Sequence, residues 1–146
     1  MKSIRGIGNV FAKQSFFTEP WHDPFIVIGK DKACIDVGAN VGFYTTRFAR
    51  IAKLVFSFEP NPSAFEQLKH NTQSFGNVRC YQWAISDKIG RLELFIPSSF
   101  LSIREAATTK REWIDKLPPA QRRSVERVSV QSTTLDSLLS RRVVHS

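Results

Sequence analysis

Two acidic residues flank a glycine-containing turn in this 146-residue chain, where they could bind the cationic and hydroxyl groups of a ligand. Asp36 stands two residues before Gly38, and Gly42 follows four residues after Gly38. Glycine permits a tight turn and a close approach of the backbone. A turn that joins a strand to a helix directs backbone N–H groups and the positive helix end toward a ligand. Glu59 follows 17 residues after Gly42, at the end of the next apolar segment.

The two carboxylates favour different parts of a nucleoside cofactor. An acid in the position of Glu59 accepts hydrogen bonds from both ribose hydroxyls in nucleotide-binding units. Asp36 suits a cationic amine, such as the aminoacyl end of S-adenosylmethionine, and would be a poor neighbour for a pyrophosphate. Asn40 also stands where the dinucleotide fingerprint has its second glycine, which argues against a nicotinamide cofactor. The alternatives are a solvated turn residue at Asp36 and a cap of the following helix at Glu59.

The elements around this turn alternate between apolar strand-like segments and amphipathic helical segments, which predicts an α/β fold with a parallel sheet. The predicted strands cover residues 25–29, 33–37, 54–58, 78–82, 91–96 and 125–133. Helices are predicted near the N-terminus, over 41–52, from Asn61 or Ser63 to Gly76, and from residue 135. Gly42 is expected to let the second of these helices pack near its strand.

Four segments resemble the FkbM family of S-adenosylmethionine-dependent methyltransferases. They are DVGANVGFYT, FSFEPNPSAFEQLKHN, WAISDKIGRLEL and TTLDSLL, and the similarity covers residues 33–139. The resemblance implies a Rossmann-like class I methyltransferase sheet with flanking helices. It also implies methyl transfer to a hydroxyl on a saccharide or natural product. It divides the chain into an N-terminal helix and linker, residues 1–30, and a partial methyltransferase domain, residues 31–146.

Carried over by position, the resemblance implies ten cofactor-binding residues. Asp36, Gly38, Ala39, Asn40 and Gly42 would surround the methionine part, Glu59 would hold the ribose, Pro60 and Asn61 would form the wall beside it, and Trp83 and Ala84 would lie at the adenine. Trp83 equally suits a purely structural place at the sheet edge. No catalytic base is assigned, because the three histidines, His22, His70 and His145, are interpreted as surface residues, and Asp87 and Asp136 as turn and helix-start residues.

The family pattern continues beyond the TTLDSLL segment with a strand that resembles Lys-Ile-Asp-x-Glu-Gly, and this chain has no such segment. In a Rossmann-like sheet the fourth strand lies beside the first. We therefore expect an incomplete, C-terminally truncated sheet without the strands after the third βα unit. Residues 33–37 would then form an unpaired apolar edge, which favours self-association. A truncated, non-catalytic cofactor-binding remnant is accordingly the alternative function.

Composition limits the other classes of function. The net charge is +8, but the charges are spread along the chain, so nucleic-acid methylation is less favoured than a small-molecule or saccharide acceptor. Cys34 and Cys80 lie in separate apolar segments without zinc-ligand spacing, which predicts free thiols, no metal site and a cytoplasmic location. No apolar run reaches the roughly 20 residues of a membrane span.

Overall fold

The chain forms an α/β structure in the computed structural model, which describes residues 30–97 and 108–140. The strands are β1 (Ala33–Val37), β2 (Leu54–Phe58), β3 (Val78–Tyr81), β4 (Trp83–Ile85), β5 (Gly90–Pro97) and β6 (Val125–Thr133). The helices are α1 (Phe43–Ile51), α2 (Pro62–Thr72), α3 (Arg111–Asp115), α4 (Pro119–Arg122) and α5 (Leu135–Ser140). The predicted N-terminal helix and the strand over 25–29 lie outside the described residues.

The first sheet is the Rossmann-like part of the molecule. Its three strands run parallel in the order β1-β2-β3, with Asp36 opposite Ser57 and Ser57 opposite Cys80. Parallel neighbours require a crossover, and α1 and α2 supply the two crossovers here. Both helices cover one face, where Ala49 packs on Val55. The predicted strand–helix alternation over residues 33–81 is therefore confirmed.

The opposite face of this sheet carries its largest side chains. Phe56 and Phe58 are almost completely buried and pack against Leu138 of α5. Trp83 and Ile85 of β4 join the same cluster. The sheet thus has helices α1 and α2 on one side and a mainly apolar layer on the other, which explains why β2 is apolar except at Ser57.

The second sheet has the order β4-β6-β5, in which β6 runs parallel to β4 and antiparallel to β5. Its core contains Ala84, Leu94 and Val130, with Val128 packed against them. The predicted placement of Val128 and Val130 on one face is thus confirmed. Trp83 and Ala84 follow the third strand, as predicted, but they belong to the second sheet. The chain leaves the first sheet at Gln82 and pairs these two residues with β6.

Strand β1 lies at one end of the first sheet. It pairs with β2, and no other strand within residues 30–97 and 108–140 pairs with it. The apolar Val37 at its end is 52% exposed. The unpaired edge expected for residues 33–37 is present in the described part of the chain, and self-association through it stays a prediction.

Helix α2 begins as its sequence predicts but ends earlier. The side chain of Asn61 accepts a hydrogen bond from the backbone N–H of Ser63 at 3.1 Å, so Asn61 is the N-cap, and Pro62 occupies the first turn. The predicted end at Gly76 is wrong, because the helix stops at Thr72. The N–H of Phe75 then bonds the carbonyl of Thr72 and closes a short turn.

Asn77 fixes the C-terminal end of α1 from a distant part of the chain. Its amide nitrogen donates to the carbonyls of Ala49 and Ala52 at 2.8 and 3.0 Å. These are among the carbonyls that a helix end leaves without partners. Asn77→Ala is expected to lower the free energy of unfolding by about 1–2 kcal/mol, measured by urea denaturation. The exposed Gln73→Ala should change it by less than about 0.5 kcal/mol. Equal values for the two variants would contradict this role.

None of the helices in the described ranges is long and apolar enough to cross a membrane. Within the same ranges, no three side chains of the His, Cys, Asp and Glu types come together as metal ligands. Cys34 and Cys80 are free thiols, and burial raises the pKa of both.

Candidate functional site

The turn between β1 and α1 is built from left-handed backbone conformations. Gly38, Asn40 and Gly42 have φ values of +73°, +50° and +91°. Glycine adopts such values at little cost, and asparagine tolerates them better than most other residues. The positive φ values at these alternate residues make the turn tight. Gly42 serves as the N-cap of α1 without a side chain to close the helix end.

The backbone N–H groups of this turn are already bonded within the protein. Gly38 N and Ala39 N donate to the Phe58 carbonyl at 2.9 and 3.0 Å, Asn40 N donates to Glu59 Oε2 at 2.7 Å, and Gly42 N donates to the Ala39 carbonyl at 2.8 Å. The expectation that the N–H groups of the turn point at a ligand is therefore wrong for these four residues. The carboxyl end of β2 lies close enough to accept three of these bonds. The turn consequently offers an anion few donors.

Gly42 is needed because helix α2 passes directly over it. A Cβ atom at this position would lie 2.8 Å from Leu68 Cδ1 and 3.5 Å from Thr72 Cγ2. The close contact is thus with the second helix, which corrects the expectation of a contact with the strand. The side-chain amide of Asn71, on the same helix, donates a hydrogen bond to the Val41 carbonyl at 2.8 Å and so ties the turn to α2.

Asp36 is a buried residue of β1 whose carboxylate lies beside the first turn of α1. Its side chain is 8% exposed, and Oδ2 accepts a hydrogen bond of 2.6 Å from Thr45 Oγ1. Burial raises the pKa of Asp36, whereas the hydroxyl and backbone bonds from Thr45 act to lower it. The alternative of a solvated turn residue is therefore excluded. The carboxylate lies where the positive end of a helix favours negative charge.

Glu59 joins the turns that follow β1 and β2. It is 6% exposed, and its two oxygens accept the backbone N–H groups of Asn40 and Asn61 at 2.7 and 2.8 Å. Burial raises its pKa, the two N–H bonds lower it, and the nearby Asp36 raises it. The cap of α2 is Asn61 rather than Glu59. Glu59 instead fixes the backbone of the capping residue and that of the glycine turn at once.

One acceptor in this region has no partner. Asn40 Oδ1 is the buried side-chain polar atom without a hydrogen bond among the residues that the structure describes. Its backbone takes the left-handed conformation that a glycine would otherwise supply. Asn40 thus stands where the dinucleotide fingerprint has its second glycine, and its side chain carries an acceptor without a partner.

The structure brings most of the predicted residues together but separates Ala84. Trp83 packs with its ring centroid 5.2 Å from that of Tyr81 and 6.4 Å from that of Phe58. The side chain of Ala84 is buried in the core of the second sheet beside Leu94. Pro60 lies between Glu59 and Asn61 at the end of β2.

The side chains considered as catalytic bases stay outside this group. His70 is exposed on α2, Asp87 is exposed in the turn before β5, and Asp136 lies in the first turn of α5. His22 and His145 lie outside the described residues.

Sequence reasoning missed Thr45 and Ser57, two fully buried hydroxyls next to Asp36. A serine in the otherwise apolar run LVFSF was the available signal.

Comparisons with known proteins point to one family. A family model for the methyltransferase FkbM domain matches residues 36–145. The 2-O-methyltransferase NoeI of Sinorhizobium fredii is 34% identical over 71 residues, which are 47% of this chain and 29% of that protein. The chain therefore spans less than a third of the length of that relative.

Two solved structures show partial likeness. An FkbM methyltransferase of Methylobacillus flagellatus is 14% identical, with a TM-score of 0.39, over 48% of this chain and 21% of that chain. Phosphoethanolamine N-methyltransferase 1 of Haemonchus contortus is 27% identical, with a TM-score of 0.37, over 38% of this chain and 12% of that chain. Because the family model covers most of the sequence, the chain belongs to the FkbM methyltransferase domain family.

Proposed function

We propose that this chain binds S-adenosylmethionine and takes part in methyl transfer to a hydroxyl of a saccharide or natural product. The observation that carries the proposal is the pair of buried carboxylates, Asp36 and Glu59, at the ends of neighbouring parallel strands. Ligands of open α/β sheets bind outside the carboxyl ends of the strands. Two acids at that place favour a ligand with cationic and hydroxyl donors.

The residues present fit S-adenosylmethionine better than a dinucleotide. Asp36 and the unpartnered oxygen of Asn40 are acceptors, which suit the ammonium and sulfonium charges of the methionine part. Glu59 suits the ribose hydroxyls, since each carboxylate oxygen accepts more than one hydrogen bond. A pyrophosphate would need free N–H donors, and four of the amides in the turn are already bonded. Asn61 and Pro60 would form the wall beside the ribose, and Trp83 would lie near the adenine.

The residues of this chain would act by position and charge. Bound S-adenosylmethionine supplies a methyl group on a sulfonium centre that is already reactive. Glu59 and Asp36 would hold the ribose and the aminoacyl part of the cofactor and so fix its orientation relative to an acceptor. No residue is assigned as the base that removes the acceptor proton. An O-methyl acceptor is supported by the likeness to NoeI, a 2-O-methyltransferase.

A calorimetric titration with S-adenosylmethionine, and separately with NADH, tests the cofactor. We expect saturable binding of S-adenosylmethionine and at least about 100-fold weaker binding of NADH. The pyrophosphate of NADH would lie beside two carboxylates, which repel it, and would lack free N–H donors. A folded chain that binds NADH as well as S-adenosylmethionine would contradict the proposal. A chain that binds the cofactor but transfers no methyl group to any sugar hydroxyl would support the alternative, a non-catalytic binding module.

A further inference from the structure

Two fully buried hydroxyl groups lie behind the Asp36 carboxylate. Thr45 on α1 and Ser57 on β2 are both 0% exposed. Ser57 Oγ donates to Thr45 Oγ1 at 3.1 Å, and Thr45 Oγ1 donates to Asp36 Oδ2 at 2.6 Å. The three groups form one continuous chain of hydrogen bonds that starts in the middle of the sheet and ends at the candidate site.

The direction of donation in this chain follows from the chemistry of its last member. An ionised carboxylate only accepts hydrogen bonds, so Thr45 must donate its single proton to Asp36. Thr45 then has only lone pairs to offer Ser57, and Ser57 donates to it. Hydrogen bonds that point the same way strengthen each other in a medium of low dielectric constant. The arrangement therefore favours a charged Asp36 over a neutral one.

Among the other titratable groups near Asp36, the neighbouring carboxylate opposes its charge. Glu59 after β2 is the neighbouring carboxylate, and the two groups repel each other. Cys34 on the same strand and Cys80 on β3 also interact with Asp36, and burial raises the pKa of both thiols, so they remain neutral at pH 7. On α2, Lys69 acts on Cys80 and pairs with Glu66. The Thr45 hydroxyl and N–H are the groups that lower the pKa of Asp36 against its burial.

We propose that Thr45 and Ser57 form a hydroxyl relay that keeps Asp36 charged and oriented, and that both are positioning residues for the cationic end of S-adenosylmethionine. The inference rests on the proposed function and adds how S-adenosylmethionine binding at that site depends on pH. A charged Asp36 binds the cation above its pKa, and binding is lost as the pH falls through that value. Without the Thr45 hydroxyl the pKa of Asp36 rises further, so binding is lost at a higher pH.

The test is the pH dependence of S-adenosylmethionine affinity in the full chain. Thr45→Val keeps the shape of the side chain and removes its hydroxyl. We expect its affinity to be lost at a higher pH than that of the wild type, with a roughly tenfold difference on the acidic side of the profile and a much smaller one on the alkaline side. Thr45→Ser should restore the wild-type profile. Ser57→Ala should move the profile in the same direction by less, because it removes only the outer bond.

Thr46→Val is the matched control, since the neighbouring Thr46 bonds the Phe43 carbonyl and not Asp36. An equal loss of affinity at every pH in Thr45→Val would show a merely structural role and overturn the relay. If Thr45→Val does not fold, an unchanged profile in Ser57→Ala overturns it, and a profile shifted to higher pH supports it. A folded wild-type chain that binds no S-adenosylmethionine at any pH would overturn the proposed function and the relay together.

Discussion

Replacing Gly42 with alanine is expected to lower the free energy of unfolding by about 3 kcal/mol. A left-handed backbone costs a non-glycine residue roughly 1–2 kcal/mol. The added Cβ would also lie 2.8 Å from Leu68 Cδ1, and Leu68 is completely buried. Overpacking of this kind costs about 1–3 kcal/mol. The sum is a large part of the total stability of a domain of this size.

Gly38→Ala separates the two causes. Gly38 has a similar φ of +73°, but a Cβ there would meet no atom within 4 Å. We expect this variant to lose only about 1–2 kcal/mol, the cost of the backbone conformation. Chemical denaturation of both variants measures the difference, which isolates the contact with α2. If Gly38→Ala were as unstable as Gly42→Ala, the packing of Leu68 on the turn would not be the reason for the glycine.

Glu59→Ala is expected to weaken S-adenosylmethionine binding by at least about 100-fold. The variant loses the charged acceptor proposed for the ribose hydroxyls, and hydrogen bonds to a charged group contribute about 1.5–3 kcal/mol each. It also leaves the N–H groups of Asn40 and Asn61 without their acceptor. Loss of these bonds should lower the free energy of unfolding by about 2 kcal/mol, after the relief of a buried charge is subtracted. Calorimetry gives the first value and urea denaturation gives the second.

Two further variants separate binding from folding. Glu59→Gln keeps one oxygen acceptor and should recover part of the stability but little of the affinity. Glu66→Gln removes an exposed carboxylate on α2 that pairs with Lys69, and it should leave both quantities unchanged. Wild-type affinity in Glu59→Ala would remove Glu59 from the proposed site. An unchanged stability would show that the two turns do not depend on its carboxylate.

The order of the elements around the candidate site could be predicted because its residues are marked by type and spacing. A strand, two glycines, a helix, a second strand and an acid predict a nucleotide-binding unit, and β1, α1 and β2 have this arrangement. Asn61 at the N-cap of α2 was predictable because capping needs only a local hydrogen bond. The left-handed conformation of Asn40 was harder to predict, since asparagine adopts several backbone conformations.

Features that depend on distant contacts were not predictable from local patterns. The Phe58 carbonyl takes two N–H groups of the glycine turn, and nothing in the sequence near Gly38 marks that carbonyl as the acceptor. Trp83 and Ala84 belong to the second sheet because β6, more than 40 residues later, pairs with them. Thr45 and Ser57 are joined by a hydrogen bond between α1 and β2, and their distance depends on how the helix packs on the sheet.

The bonds that close the glycine turn also determine what ligand binding costs in entropy. Gly38, Ala39 and Asn40 are held by the end of β2 through bonds that involve no ligand. Their conformational freedom is therefore lost when the chain folds and not when a cofactor arrives. A preorganised site of this kind retains more of its contact energy as affinity. The amide protons of these residues should accordingly be protected from exchange with solvent in the ligand-free protein, to an extent set by the opening of the β1–β2 pair.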